Sequence, residues 1–249
     1  GIHQSQNKKR CENVVRIIEE LDKQDGKKPK ALDPHKLKVV ALIPLKGKSI
    51  ELDGKSLLEV TINQAKDCPY VDHIIVSTDN NETAEFARGL GAEVPFMRDK
   101  NLSEDHVDLE HVYKYSVSEI EKQGIYADII VTLETTFPFR PKGFITKLVD
   151  RLLEEGLDSV LAARSEYGIC FVNKEGTLTQ IGDGFVPRKY KDPVHVGVKG
   201  LGCATHPIFL REGKLLGEAV GIIETEDPMA FIEIRDNANN RLTTLFSLR

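Results

Sequence analysis

The stretch HIIVSTDNNETAEFARGLGAEVPFMR, residues 73–98, constrains the fold more than any other part of the chain. Ile74, Ile75 and Val76 form an unbroken β-branched run, the pattern of a parallel strand covered on both faces. Ser77, Thr78 and Asp79 follow at once, which puts a polar triplet at the strand's carboxyl end. Open α/β sheets bind their ligands at that edge. Residues 82–90 repeat at helical spacing through Ala84, Ala87 and Leu90, with Asp79 or Asn80 as N-cap and Gly91 as the C′ stop. A short second strand follows. One passage therefore predicts the fold class, the polarity of the sheet and the edge at which chemistry is to be sought.

The same alternation recurs along the chain. Val39-Val40-Ala41-Leu42-Ile43 reads as a first buried strand, broken by Pro44 and followed by the lysine-rich loop LKGKSIELDGKS. A helix is predicted over 57–65 with Ser56 as its N-cap, another over 107–123, and a third over 143–155 closed by Gly156. Residues 128–133 and 159–163 read as further central strands. Strands and helices at this spacing predict one α/β domain with a Rossmann-like, three-layer, mostly parallel sheet. From 165 to about 200, short apolar pieces, prolines and the turns at 174–176 and 182–184 predict a small antiparallel arm. Residues 204–210 and 219–223 return to the core, and IEIRDNANNRLTTLF closes it as a strand and a helix. Residues 1–37 stand apart: Val14, Val15, Ile17, Ile18 and Leu21 share a helical face ahead of a polar linker. The core domain is thus expected over 38–249.

Composition narrows the function. A net charge of −5 gives no electrostatic footprint for nucleic acid. No apolar run approaches the ~18 residues of a membrane span, and no signal-peptide pattern is visible. Cys11, Cys68, Cys170 and Cys203 stand singly, as reduced thiols of a cytoplasmic protein do, with neither a disulfide framework nor zinc spacing.

The motifs then point to a family. VSTDNNETAEFARGLGAEVPFMRDKNLSED resembles the strand, STD turn, helix and GAEVPFxRPxxLSxD continuation of the acylneuraminate cytidylyltransferases. DIIVTLETTFPFRPKGFITKLVDRLLEEGLDSVLAAR resembles that family's strand ending in LQPTSPLR and the helix after it. KVVALIPLKGKS and GKSLLEVTI resemble its first strand and the start of its first helix. The likeness runs in order from residue 38 to the end and weakens after Arg164. It implies a fold of the nucleotide-diphospho-sugar transferase type. The implied reaction is transfer of CMP from CTP to a sialic-acid-like (nonulosonic) sugar acid with Mg²⁺, by a cytoplasmic homodimer.

The resemblance also assigns residues. Lys46, Lys48 and Ser49 lie between a strand and a helix, where backbone N–H groups and lysines favour a triphosphate; the family's loop is longer, with arginine at the position of Lys46. Ser77, Thr78, Asp79, Arg98 and Asp105 fall near the nucleotide. Glu134 stands where the family has glutamine, Thr135 and Thr136 where it has Pro-Thr, and this loop faces the sugar. An acidic group there suits an acceptor's amino or hydroxyl group, and so hints at a modified acceptor. Arg140 matches the family's arginine; it is a candidate carboxylate or phosphate clamp, or else a structural cap on the loop. Glu233 and Asp236 stand near the family's Mg²⁺-binding Asp-x-Asp, with Arg235 replacing the second aspartate, so a plain Glu–Arg ion pair is the competing reading there. Lys199 and Gly200-Leu201-Gly202 lie where the family approaches the sugar, and the basic run Pro187-Arg188-Lys189-Tyr190-Lys191 falls in the arm that builds its dimer contact. His195 and His206 carry no assignment, and nothing activates Cys203. Two other readings stay open: a relative that uses another NTP or a sugar 1-phosphate, and a homologue that binds a nucleotide sugar without turnover.

Overall fold

The computed structural model describes residues 33–104, 107–182 and 186–235; the predicted N-terminal helix, Asp105, Asp236 and the predicted C-terminal helix lie outside them. The chain builds β1 (Val39–Leu45), a short hairpin β2 (Glu51–Leu52) and β3 (Lys55–Ser56), α1 (Leu57–Lys66), β4 (Val71–Thr78), α2 (Asn81–Gly89), α3 (Leu109–Lys122), β5 (Ile129–Thr132) and α4 (Phe144–Glu154). There follow β6 (Ser159–Glu166), β7 (Cys170–Lys174), β8 (Thr177–Ile181), β9 (Val194–Gly197), β10 (Cys203–Thr205), α5 (Pro207–Arg211) and β11 (Val220–Glu224).

The central sheet runs β11-β6-β10-β5-β1-β4, and β9 extends it by pairing with the outer half of β6. β1 is parallel to β4 and β5, and β6 to β11, whereas β10 inserts antiparallel between β5 and β6. Alternate residues of the strands feed two separate cores. Val39, Ala41, Ile43, Ile129 and Val131 pack with α1, α2 and α4. Val40, Leu42, Ile75 and Ile130 pack with Tyr113, Val117 and Ile120 of α3 and Leu210 of α5. Two apolar faces explain why these strands read as continuous hydrophobic runs rather than alternating ones. The predicted three-layer α/β architecture with a small antiparallel arm is what forms.

Several local expectations change. Pro44 does not break β1, which continues to Leu45 in register with β4. The β5 ladder ends at Leu42, so at Pro44 the strand has a neighbour on one side only, where proline's missing N–H is tolerated. Ser56 holds the N-cap position of α1 but makes no side-chain cap. Instead Ser49 Oγ, brought back by the β2–β3 hairpin, accepts from Leu58 N at 3.0 Å. The cap of α2 comes from Asn80, whose side chain accepts from Thr83 N at 2.9 Å. Residues 232–235 are not a sheet strand; Ile234 is buried among Leu52 and Leu57, and its N–H donates to Thr136 O at 2.8 Å.

The arm is the β7–β8 hairpin, turned through Glu175 and Gly176, both at positive φ. That is the turn geometry that matches strand twist in two-residue hairpins. Phe171 and Leu178 on it are 55% and 65% exposed, so it packs little of its apolar surface on the body. Among the described residues no helix is long and apolar enough to cross a membrane.

Candidate active site

Because β1, β4 and β5 are parallel, their carboxyl ends share one edge. The antiparallel entry of β10 brings residues 199–202 to the same edge. Two half-sites result.

The first is built on the 46–49 loop. Gly47, at φ +63°, makes a turn that β-carbon-bearing residues rarely adopt. Its N–H donates to Asp79 Oδ1 at 2.9 Å, and its carbonyl accepts from Thr83 Oγ1 at 2.7 Å. The loop is thereby tied to the start of α2. Lys46 and Lys48 stay exposed, with Lys48 Nζ 2.6 Å from Glu82 Oε2. Behind the loop lies Arg98, 5% exposed, which donates to Ser103 Oγ, Ser77 O and Leu45 O at 3.1, 3.1 and 3.3 Å. Those three bonds join the ends of β1 and β4 to the 100–103 turn. Among the described residues, the remaining N–H groups of Arg98 make no hydrogen bond. A cavity of about 220 Å³ opens here, lined by Leu45, Lys46, Arg98, Ser103 and Val107 among others.

Burial pushes the Asp79 carboxyl up, but the N–H of Gly47, the Ser103 hydroxyl and the Arg98 charge outweigh it and hold the group below its usual range. A lowered folded-state pKa contributes stability that is complete above the unfolded value near ~3.9 and is lost as pH falls through the folded value. Asp79→Asn keeps an acceptor for Gly47 but removes the charge. It should lower stability at neutral pH and flatten the loss seen from about pH 5 downward. Denaturant midpoints across pH measure this, and parallel profiles for the two proteins would refute it.

The other half-site is built on the loop after β5. Glu134 N donates to Gly200 O at 3.0 Å, which ties the loop to the strand opposite. Gly200 admits this approach only as glycine: a β-carbon there would lie 2.8 Å from the Glu134 carboxyl carbon and 2.5 Å from the Phe137 ring. Glu134 faces Glu233, Lys199 and Arg235. Burial raises its pKa, Glu233 adds to the rise, and Lys199, Arg235 and Arg140 oppose it. Lys199 Nζ is 3.4 Å from Glu110 Oε1, and Arg235 is 2.7 Å from Glu233 Oε1.

Several sequence assignments need correction. Arg140 is not placed as a ligand clamp. All five of its N–H groups are engaged by protein: Nε by Leu201 O, Nη1 by Gln64 Oε1 and Phe137 O, Nη2 by Glu134 O and Gly200 O. Burial lowers its pKa to about 9, against the pull of Glu134, so it stays charged at neutral pH. It is the cap on the loop. Ser77 and Thr78 are fully buried. Ser77 Oγ accepts from Ser116 Oγ, and Thr78 Oγ1 accepts from Asn80 N. Neither hydroxyl reaches the ligand edge. Ser49 serves the α1 cap. Thr135 is buried, and Thr136 Oγ1 is buried with no hydrogen-bond partner among the described residues. Glu233 is in the ion pair with Arg235, and among the described residues no three His, Cys, Asp or Glu side chains gather as a metal cluster. Lys191, in the basic run of the arm, is buried on the carbonyls of Tyr167 and Gly168. Burial pushes the Cys203 thiol up to about 12, which makes it inert.

Sequence reasoning missed Thr83, Ser103, Gln64 and Glu110. Thr83 carried a signal, standing three residues after a capping asparagine; the others are joined to their partners only by the tertiary fold.

A sheet of this topology, with an anchored glycine loop after β1, defines an α/β protein whose parallel strand ends gather at one ligand edge. The family model for cytidylyltransferase matches residues 44–180, and the chain belongs to that family. The resemblance read from the sequence holds at that level. Among curated relatives, pseudaminic acid cytidylyltransferase of Campylobacter jejuni is 28% identical over 142 residues, 53% of this chain and 61% of that protein. CMP-N,N'-diacetyllegionaminic acid synthase of Legionella pneumophila is 29% identical over 122 residues, 46% of this chain and 53% of that one. The chain thus matches just over half the length of these relatives. Among solved structures, 4-diphosphocytidyl-2C-methyl-D-erythritol synthase from Anaerococcus prevotii superposes with a TM-score of 0.58 at 14% identity, covering 87% of this chain and all of that one. CMP:2-keto-3-deoxy-manno-octonic acid synthetase in complex with CTP gives 0.54 at 15% identity, covering 76% and 90%. At such identities these two likenesses speak for the fold alone.

Proposed function

We propose that this protein activates a sialic-acid-like sugar acid with CTP, giving a CMP-sugar and pyrophosphate. The observation that carries this is the meeting of the two half-sites at one sheet edge of a cytidylyltransferase scaffold: the tied lysine loop on one side, the Glu134–Lys199 wall on the other. The acceptor's hydroxyl oxygen forms a bond to the α-phosphorus, the bond to the pyrophosphate oxygen breaks, and the hydroxyl proton leaves to water. Such a transfer asks little covalent chemistry of the protein; holding the two reactants in line and countering charge does most of the work. Lys46 and Lys48 meet the triphosphate, and Lys48 exchanges Glu82 for phosphate oxygens. Arg98 and the tied Gly47 turn shape the cavity that takes part of the nucleotide.

A divalent ion fits this site as one carried largely by the substrate. Glu233 offers one carboxylate, and Mg²⁺ commonly takes one or two protein carboxylates with water and phosphate oxygens for the rest. Bound there, it would neutralise phosphate charge. The exposed apolar β7–β8 hairpin supports a homodimer, and the reading places the protein in the cytoplasm.

The Glu233–Arg235 ion pair favours a second reading, nucleotide-sugar binding without turnover. One assay decides. The protein is incubated with Mg²⁺, each of the four NTPs, and a panel of sugar acids and sugar 1-phosphates, and pyrophosphate is followed. Release with CTP and a sugar acid is expected. Release with another NTP, or with a sugar 1-phosphate only, would overturn the proposal. No release, with CMP-sugar binding retained by calorimetry, would favour the second reading.

A further inference from the structure

Three buried side chains, Leu52, Leu57 and Ile234, form a small core apart from the two that flank the sheet. Ile50, Phe139 and Ile232 pack against it. Its members come from three distant stretches: the β2–β3 hairpin with the start of α1, the loop after β5, and residues 232–235, the strap that carries Glu233. The hairpin side of this core is also where the lysine loop ends. Ser49 Oγ accepts from Ser56 Oγ at 2.8 Å and from Leu58 N at 3.0 Å, and Leu57 N donates to Ile50 O at 2.9 Å. The strap has few other holds. Among the described residues, Ile232 N donates locally to Met229 O, and the bond from Ile234 N to Thr136 O at 2.8 Å is the one that ties 232–235 to the body. The strap is extended, with Ile232 at φ −74° and ψ 117°, so its side chains alternate between two sides. Ile232 and Ile234 turn to the small core, and Glu233 and Arg235 turn away from it, paired at 2.7 Å. Burial of Ile234 is thus what aims Glu233 outward.

We infer that Ile234 is a positioning residue: through Leu52 and Leu57 it locks the strap to the lysine loop, so that phosphate binding at Lys46 and Lys48 also fixes the strap and Glu233. This rests on the function proposed above and deepens it. Close-packed interiors are barely compressible and pass displacement from one neighbour to the next. A core this small is emptied by a single truncation, whereas the two cores beside the sheet stay filled. Loss of Ile234 therefore uncouples two segments of the site without dismantling the domain.

Hydrogen exchange reads the coupling without turnover, because local opening sets the exchange rate of each segment. The full chain is compared with and without CTP, once in EDTA, where no divalent ion can bridge the nucleotide to Glu233, and once in Mg²⁺. In wild type, CTP should slow exchange in residues 46–58 and in residues 229–235, each by about threefold or more, in both conditions. Ile234→Ala should keep the first effect and lose the second. Leu52→Ala, which opens the same core from the hairpin side, should do likewise, and it carries the test if Ile234→Ala fails to fold. Ile234→Val, one methyl smaller, should restore both effects. Retained protection of 46–58 shows that the variants are folded and bind nucleotide. In the pyrophosphate assay, Ile234→Ala should lower kcat by about tenfold or more while KM for CTP stays within about threefold of wild type, since the lysines remain. If the alanine variants keep the wild-type protection of 229–235, or wild type shows it only with Mg²⁺ or not at all while 46–58 is protected, the strap is not held through Ile234 and the inference is wrong. If CTP protects neither segment of wild type in either condition, the function proposed above fails and this inference falls with it.

Discussion

Replacing Arg140 by alanine is expected to lower the free energy of unfolding by about 3–5 kcal/mol, the usual cost of breaking a buried, charge-assisted network from one side. Five N–H groups disappear at once. The carbonyls of Glu134, Phe137, Gly200 and Leu201 and the side-chain oxygen of Gln64 lose their donor in a place water does not readily reach. Lysine cannot rescue them, because one ammonium cannot reproduce a planar fork that addresses two chain segments. Urea denaturation of both variants measures the loss, and Arg140→Lys should recover only a minor part of it. Activity falls as well, through the 134–137 and 199–202 segments that Arg140 fastens together. If Arg140→Ala unfolds within about 1 kcal/mol of wild type while KM for the sugar acid climbs, the residue is a substrate clamp and the capping role is wrong.

The second large effect is expected at Arg98. Its guanidinium gives three hydrogen bonds, to Ser103 Oγ, Ser77 O and Leu45 O, and offsets the charge of Asp79. Arg98→Ala should therefore cost about 2–4 kcal/mol of stability. It should also raise KM for the nucleotide by about tenfold or more, because the Gly47 turn depends on Asp79 and the cavity loses a wall. The two arginines differ in a way that decides their roles. Arg140 has no N–H left for a ligand, whereas Arg98 lines the cavity and, among the described residues, keeps N–H groups that no protein acceptor takes. An Arg98→Ala protein with ordinary stability and unchanged nucleotide KM would refute both parts of this argument.

The contrast shows where sequence reading stopped. In the sequence Arg140 and Arg98 are both motif arginines near a ligand edge. What separates them is the number of carbonyls that converge on each. Those carbonyls come from residues as distant as Leu45 for Arg98 and Leu201 for Arg140, and no local pattern records them. Ser77 and Thr78 failed as ligand groups for a related reason. β4 runs two residues past the β-branched stretch, so both hydroxyls sit inside the strand, fully buried, rather than beyond its end. Asp79, the next residue, did reach the edge, but as the tether of Gly47.

Long runs of buried β-branched residues alternating with amphipathic helices were enough, read alone, to determine a three-layer α/β sheet, its polarity and the edge where ligands meet it. Hydrophobic burial on two faces admits few other solutions for such a pattern. The spacing of glycines and turn residues determined the hairpin arm in the same local way. Only the tertiary structure decided that β10 enters antiparallel and so delivers Lys199 and Gly200 to face Glu134. It alone decided that Asp79 is spent on a loop 32 residues earlier in the chain, and that one arginine is consumed by the protein while another is left with capacity to bind. Those outcomes turn on which polar groups lose water together, and that is a property of packing between distant segments.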